Sequence, residues 1–407
     1  MVVAGEGGNV ESHEDQSGAG QGGQADFGES GESLDVRVVT NIRDWDLIGE
    51  AWAELFRDSV RVSAALQFSW LWHWWGVFGQ ACGRGTDRFR IITVWRGTQL
   101  VAGLPLYETT VPGTYRRLKC LRFLSTGEAG HEETAPHYLD LLVRPGCEEA
   151  SLQAVWRTLA TMTWDVIDLQ AVPEESVLVR GIAGHWPQTL VDPPRPLVHV
   201  YANLEGGFES YLLRRSGPTR KILRRRMREA EAAGARFELA TPETIDEFFD
   251  DLVRLHQERR IGLGGAGVFA APRFLEFQRR IAREWLADGR AAMGRLSIGD
   301  EAVAIQYGFI ARQTFEAYQC GLCEGAAGEM RSPGITCHLL LMAELAKRGI
   351  TSYDLRRAGA TYKQDLITNE RTVLSVRIWR VQFQRRLMQW AQRARGAIRG
   401  LAKRGEG

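Results

Sequence analysis

The chain has 407 residues, 44% of them hydrophobic and 25% charged, with a formal net charge of +1 at pH 7. That composition is globular, the length favours two domains plus tails, and the near-neutral charge argues against a polyanion gripped over the whole surface. No apolar run approaches the roughly 20 residues that span a bilayer, and neither a signal-peptide pattern nor a cysteine framework is visible, so a cytoplasmic location is expected.

In chain order, residues 1–34 come first, with seven acids (Glu6, Glu11, Glu14, Asp15, Asp26, Glu29, Glu32), many glycines and no Lys or Arg. Such a segment buries too little apolar surface to offset its ordering entropy, and it reads as a disordered tail. The stretch "FSWLWHWWGVF" brings Trp70, Trp72, Trp74 and Trp75, expected to build a core or interdomain surface. Next, "IITVWRGTQLVAGLPLYE" (91–108) reads as two strands around a Gly-containing turn, and so does "MGRLSIGDEAVAIQYGFI" (293–310). Val101-Ala102 falls on Val303-Ala304 at an offset of 202. In the same order, "VRPG" (143–146) and "RSPG" (331–334) each precede a helix and a strand, "WDVIDLQ" and "ITSYDLR". Matched blocks in matched order predict tandem α/β (α+β) domains of similar topology.

Residues 172–196 are Pro-rich and suggest a linker. The helix that follows, 208–234, is interrupted at Gly217-Pro218 and holds eight bases between Arg214 and Arg228. It is either a solvated face or a contact surface for phosphate. "MRSPGITCHLLLMAELAKRG" (330–349) reads as a punctuated helix, with Ser332 as cap, Pro333 in the first turn and Gly349 at the close. From Arg371 to Arg404 there is no acid; a strand, "VLSVRIWRV", leads into a basic amphipathic helix carrying Phe383, Leu387, Trp390 and Ile398. Packing its apolar stripe against the protein is the favoured reading of that helix, and contact with an anionic membrane or a nucleic acid the other.

The start of the 330–349 helix is the best anion site in the sequence, because first-turn N–H groups and the helix dipole attract phosphate. Arg331 stands just outside it, and Gly334, Ile335 and Thr336 would offer their amides. Its counterpart in the first half begins Cys147-Glu148-Glu149, whose carboxylates would repel an anion. Metal readings have little to carry them: Cys320-x-x-Cys323 followed by Cys337-His338 could be drawn as a zinc site but has no second CxxC, and "HEETAPH" (131–137) lacks the HExxH spacing and reads as a loop. Neither a nucleophile elbow nor a Walker A loop is present.

Taken together, "LWHWWGVFG", "GTQLVAGLPLYE", "LRFLSTG…HYLDLLV", "LHQERR…GVF", "GDEAVAIQYGF", the SPG helix and "YDLRRAGATYK" resemble GNAT-fold acyltransferases of the CelD-like type. These are tandem-domain proteins often associated with bacterial polysaccharide or envelope biosynthesis, and they are similar in layout to the Fem-type aminoacyl transferases. The resemblance spans roughly 36–380. It implies two GNAT-like domains, 35–195 and 196–380, each a mixed, mostly antiparallel sheet flanked by helices, with 381–407 as a basic tail. The second domain would hold acetyl-CoA or another acyl-CoA through Arg331, Ser332, Gly334, Ile335 and Thr336, with no metal.

By the same resemblance, an acceptor amine attacks the thioester directly; Tyr362 serves as acid for the thiolate and Lys363 as a cation beside developing charge. Backbone N–H groups near Gln319 to Gly321 would bind the carbonyl oxygen. The base is Asp354, in the "YD" position, or His256, in "LHQER"; Asp354 could instead only brace a loop. The sequence departs from the family where Ser-Asp-Tyr-x-Asp becomes Pro136-His137-Tyr138-Leu139-Asp140, and where Arg260 replaces an aromatic; both stretches are expected near the acceptor. The expected function is acyl transfer to an amine of a small molecule or an envelope or polysaccharide precursor, with peripheral contact at the inner membrane through 381–404. Rival readings are a Fem-type transferase using aminoacyl-tRNA, whose RNA would meet the 214–228 arginines, and a non-catalytic scaffold of an envelope-synthesis complex.

Overall fold

A computed structural model of the protein describes residues 33–393, apart from 61, 84–87, 324–329, 331, 360 and 392. Residues 1–32 of the expected tail, Arg331 and everything beyond 393 lie outside the described residues.

The first half contributes β1 (Leu34–Val39), α1 (Ile42–Leu47), α2 (Gly49–Asp58), α3 (Phe68–Gly83), β2 (Phe89–Arg96), β3 (Gln99–Pro112), β4 (Arg117–Phe123), β5 (Leu142–Val143), α4 (Glu148–Thr161), β6 (Val166–Pro173) and α5 (Val177–His185). The second contributes β7 (Arg195–Asn203), α6 (Phe208–Arg214), α7 (Gly217–Ala232), β8 (Ala235–Leu239), α8 (Ile245–Gly262) and α9 (Pro272–Ala287). It continues with β9 (Ala291–Ile298), β10 (Glu301–Ala311), β11 (Thr314–Leu322), α10 (Pro333–Lys347), β12 (Ser352–Arg357) and β13 (Asn369–Trp379). The strands form one sheet in the order β1-β2-β3-β4-β6-β13-β7-β12-β11-β10-β9-β8, with β5 on β3. Helices flank this α/β sheet. Its pairs are antiparallel except β4 with β6 and β11 with β12.

That order is the duplication made visible: each half runs from an outer hairpin to one parallel pair near the centre. The match extends to irregularities. Val101 is skipped in the pairing of β3 with β2, and Val303 is skipped in the pairing of β10 with β9. The expected boundary at 195/196 falls where β7 begins, but β13 lies between β6 and β7, so the last strand completes the first half's side of the sheet.

Aromatic side chains join the halves. Trp70 of α3 meets Phe277, Trp285, Phe309 and Tyr318 of the second half, with ring centroids 4.8 to 6.1 Å apart. The tryptophan-rich stretch is therefore core, as its composition implied. α9 supplies the facing stripe, Phe274, Phe277, Ile281 and Trp285, all buried at helical spacing.

Three local readings change. Residues 172–196 are not merely a linker: Ser176 caps α5 at the Leu178 amide, and Leu178 and Ile182 bury its inner face. Ser332 precedes α10 in a left-handed conformation (φ 61°, ψ 60°) and makes no side-chain cap, whereas the other end closes as expected, with Ile350 N–H on Leu345 O and Gly349 N–H on Ala346 O. The helix after 381 buries its apolar stripe only in part: Leu387 is half-buried and the neighbouring Met388 packs against the sheet. Phe383 and Trp390 are exposed, while Arg385 and Gln389 bond to Asp192.

One glycine guards the hairpin that leads to the centre. A Cβ on Gly308 of β10 would lie 2.3 Å from Glu316 O and 2.5 Å from the Phe315 ring. Overpacking of that kind destabilises by about 1–3 kcal/mol, so Gly308→Ala should lower the urea midpoint with an unchanged slope; an unchanged midpoint would contradict this packing.

Candidate active site

The parallel pairing of β11 with β12 lasts three residue pairs, Thr314↔Ser352, Phe315↔Tyr353 and Glu316↔Asp354, and then stops. Both strands change register at that point. In β11, Tyr318 is skipped against β10; in β12, Leu355 is skipped against β7, and Arg356 takes a left-handed φ of 61°. Bulges bend strands, and these two part the pair. The gap is a cavity of about 260 Å³ lined by Ala317 to Cys320, His338, Leu355 to Arg357, Tyr362, Lys363 and, from the first half, Ala135 and His137.

Two of the expected site residues meet in this cavity. The Tyr362 ring stacks on His338, centroids 5.9 Å apart and planes 17° from parallel. Burial, then the neighbouring Cys320, pushes the Tyr362 hydroxyl up to about 12, so it keeps its proton at neutral pH. Lys363 Nζ donates to Leu355 O and Arg357 O at 2.6 Å each. Its ammonium thus ties down the bulged end of β12, and burial lowers its pKa against the pull of Asp354. Burial also lowers His338 to about 3, so the ring is neutral, with Nδ1 2.8 Å from the Tyr353 hydroxyl. Cys320, raised by burial, stays a thiol.

Neither expected base lines the cavity. Asp354 is fully buried behind its wall, where it accepts from the Tyr138 hydroxyl and the Arg356 amide and lies 3.8 Å from Arg371. Burial raises its pKa, opposed first by Arg371. His256 sits on α8 against Phe269, ring centroids 5.0 Å apart. It lies outside the residues that line the cavity.

At the start of α10, Ile335 N–H and Thr336 N–H both turn back to Ser332 O, at 3.0 and 3.2 Å. The helix ladder uses these two amides, which leaves Gly334 as the expected first-turn donor outside that pairing. Arg331 is outside the described residues. Among the described residues no group of three or more His, Cys, Asp or Glu could hold a metal.

Arg356 and His137 were not singled out as site residues by sequence. The Arg356 guanidinium lies 5.1 Å from the Tyr318 ring centroid, donates to Ala135 O, and leaves its buried Nε without a partner among the described residues. The departure at 136–140 from the family pattern and the histidine-bearing stretch 131–137 were the sequence signals near His137. By contrast, half of the bases of the arginine-dense α7 are committed to acids: Arg224, Arg225 and Arg226 pair with Glu209, Glu229 and Asp365.

Residues 217–364 match the acetyltransferase (GNAT) domain family. No curated protein matches the sequence. Among solved structures, FemX is similar over 84% of this chain and 96% of its own, at 10% identity and a TM-score of 0.53. L-PGS from Bacillus licheniformis covers 86% of this chain and 97% of its own (11% identity, TM-score 0.47). A tandem GNAT protein from the clavulanic acid biosynthesis pathway covers 84% and 98% (11% identity, TM-score 0.39). The FemX likeness speaks to the fold alone.

Beside Asp354, Glu316 accepts from the Ala64 amide at 3.0 Å and the Ser63 hydroxyl at 3.3 Å, and burial lifts its pKa from 4.5 to about 7. The unfolded carboxyl ionises at lower pH than the folded one, so this group weakens folding as pH rises through that window. Glu316→Gln should therefore gain stability relative to the parent between pH 4 and 8, by at most about 3 kcal/mol; a pH-independent difference in urea unfolding would refute the shift.

Proposed function

With a second half that matches an acetyltransferase (GNAT) domain, we propose that the protein transfers an acyl group from an acyl-CoA thioester to an acceptor amine by direct attack. The observation that carries this reading is the cavity between the diverging ends of β11 and β12, with the protonated Tyr362 hydroxyl on its wall. Beyond Glu316, β11 turns toward the cavity an edge that β12 no longer pairs, and an extended, amide-bearing arm can add to such an edge. These residues fit a CoA arm, and the Gly334 amide at the start of α10 would be a donor for its phosphates. Bound there, the thioester supplies an activated acyl carbon.

The chain's own groups have separable tasks. Tyr362 gives its proton to the departing sulfur. Cys320, held as a thiol, is a poor nucleophile, which favours direct transfer over an acyl-enzyme. Arg356, a cavity-lining guanidinium with no acid in ion-pair distance among the described residues, faces the negative charge that develops on the carbonyl oxygen. Lys363 supports this site by fixing β12, and Asp354 braces it through Tyr138. The acceptor class is an amine of a small molecule or envelope precursor.

Isothermal titration with acetyl-CoA and longer acyl-CoAs tests the reading directly, and binding is expected. Tyr362→Phe should retain that binding and lower kcat about 10- to 100-fold. A folded protein that binds no CoA species would refute it. Binding of aminoacyl-tRNA that weakens steeply with salt, in place of CoA, would move the donor to RNA.

A second observation bears on location. Phe383 and Trp390 stand exposed one above the other on the basic C-terminal helix, and Leu387 lies between them. We propose that this stripe rests on an anionic membrane surface. The protein should sediment with vesicles containing phosphatidylglycerol and not with neutral vesicles, and Phe383→Ser with Trp390→Ser should abolish this. Equal sedimentation of parent and double variant would refute it.

A further inference from the structure

The cavity of the second half is finished by a segment of the first. Thr134 O accepts from the Tyr318 hydroxyl at 2.8 Å, Ala135 O from Arg356, and the Tyr138 hydroxyl reaches Asp354. Ala135 (φ 43°) and Tyr138 (φ 57°) are left-handed although neither is glycine. Such backbone is uncommon outside glycine and is retained where surrounding structure over-determines it, often at functional sites. Between them His137 lines the cavity, and its Nδ1 is buried with no partner among the described residues. Its ring stands edge-on to His199 at 4.4 Å, and His199 Nδ1 lies 2.9 Å from the Tyr138 hydroxyl, so the segment is held from both sides.

His137 also lines a second cavity, of about 280 Å³, which opens where β4 and β6 part in the first half. Thr126, Glu133, Gln170, Leu197 and Ser375 border it, and it shares Ala135, His137 and Arg357 with the donor cavity. Two cavities with one common wall suit a reaction between two substrates. Resting on the acyl-transfer reading, we propose that the second cavity receives the acceptor amine and that the His137 imidazole is the general base at the common wall. The amine nitrogen forms its bond to the acyl carbon while the carbon–sulfur bond breaks. The nitrogen's proton passes to His137, and the Tyr362 proton passes to sulfur to leave a free thiol. Burial first, then the charge of Arg356, with His199, Lys363 and Arg357 adding to it, holds His137 well below its ordinary pKa, so the ring enters the reaction neutral. A weak base suffices, because the nitrogen becomes strongly acidic as its bond to the carbonyl carbon forms.

The test separates this inference from the reading beneath it. Acetyl-CoA binding by titration reports on the donor site, and failure of the parent to bind removes both. For a parent that binds, transfer from acetyl-CoA to hydroxylamine is followed in His137→Ala and His137→Gln. Both variants should keep acetyl-CoA affinity within about threefold and lose about 100-fold in kcat, and added imidazole should restore about tenfold to His137→Ala. Undiminished transfer, or a loss that imidazole does not repair, would overturn the assignment. Should the variants not fold, the parent is treated with diethyl pyrocarbonate: His137 should be modified, and acetyl-CoA should protect it. Absence of modification or of protection would count against it equally. With benzylamine as acceptor, Gln170→Trp should raise the acceptor KM at unchanged acetyl-CoA affinity; an unchanged KM would rule out the second cavity.

Discussion

Two bulges, side by side, decide what this fold can do. β11 and β12 run parallel and in register as far as Glu316 and Asp354, and then Tyr318 and Leu355 fall out of register with their outer neighbours. A parallel pair that continued would satisfy its own backbone groups and leave no room. Because it stops, the strand ends need other partners. Lys363 takes the carbonyls of Leu355 and Arg357, Arg356 and Tyr318 bond to the first half, and a cavity remains between. The cavity is thus a consequence of where the ladder fails, and the residues around it are those that stabilise the failure.

The duplication provides an internal comparison. In the first half the corresponding pair ends at Arg122↔Asp168, and Asp168 is held by Arg122 and Arg377, which keep its carboxyl ionised below its usual range although burial opposes them. In the second half the same register position pairs two carboxyls, Glu316 and Asp354, both pushed upward by burial. The first gap is also partly filled by the chain itself, since Leu139 N–H bonds to Ala171 O. One architecture has therefore given an arginine-paired carboxylate on one side and two adjacent buried carboxyls on the other. The segment that fills the first gap is the same one that supplies His137 to the second.

Much of this was legible in the sequence. Strand pairs with a Gly-containing turn repeat at a fixed offset, and the skipped Val101 and Val303 show that the repeat extends to single residues. Tyr362 and Lys363 could be found because they follow the last strand of a recognisable block. What could not be read depends on partners far along the chain. Arg356 belongs to a cavity wall only because Ala135, 221 positions away, faces it. His137 is a loop residue, as its stretch implied, but its place at the cavity is set by His199, Arg356 and Lys363, which lie in the other half. The left-handed Ser332 and the helix at 177–185 were misread for a local reason: Ser before Pro favours a cap, and prolines favour a linker, unless burial elsewhere decides otherwise.

The central claim is that the substrate arm lies in the gap that the two bulges open. A crystal structure with a non-hydrolysable thioether analogue of acetyl-CoA tests this most directly. Density for the arm should run along β11 between Ala317 and Cys320, with its sulfur beside the Tyr362 hydroxyl and its acyl group turned toward His137. Density in the first-half gap, or none in either at saturating analogue, would contradict the account.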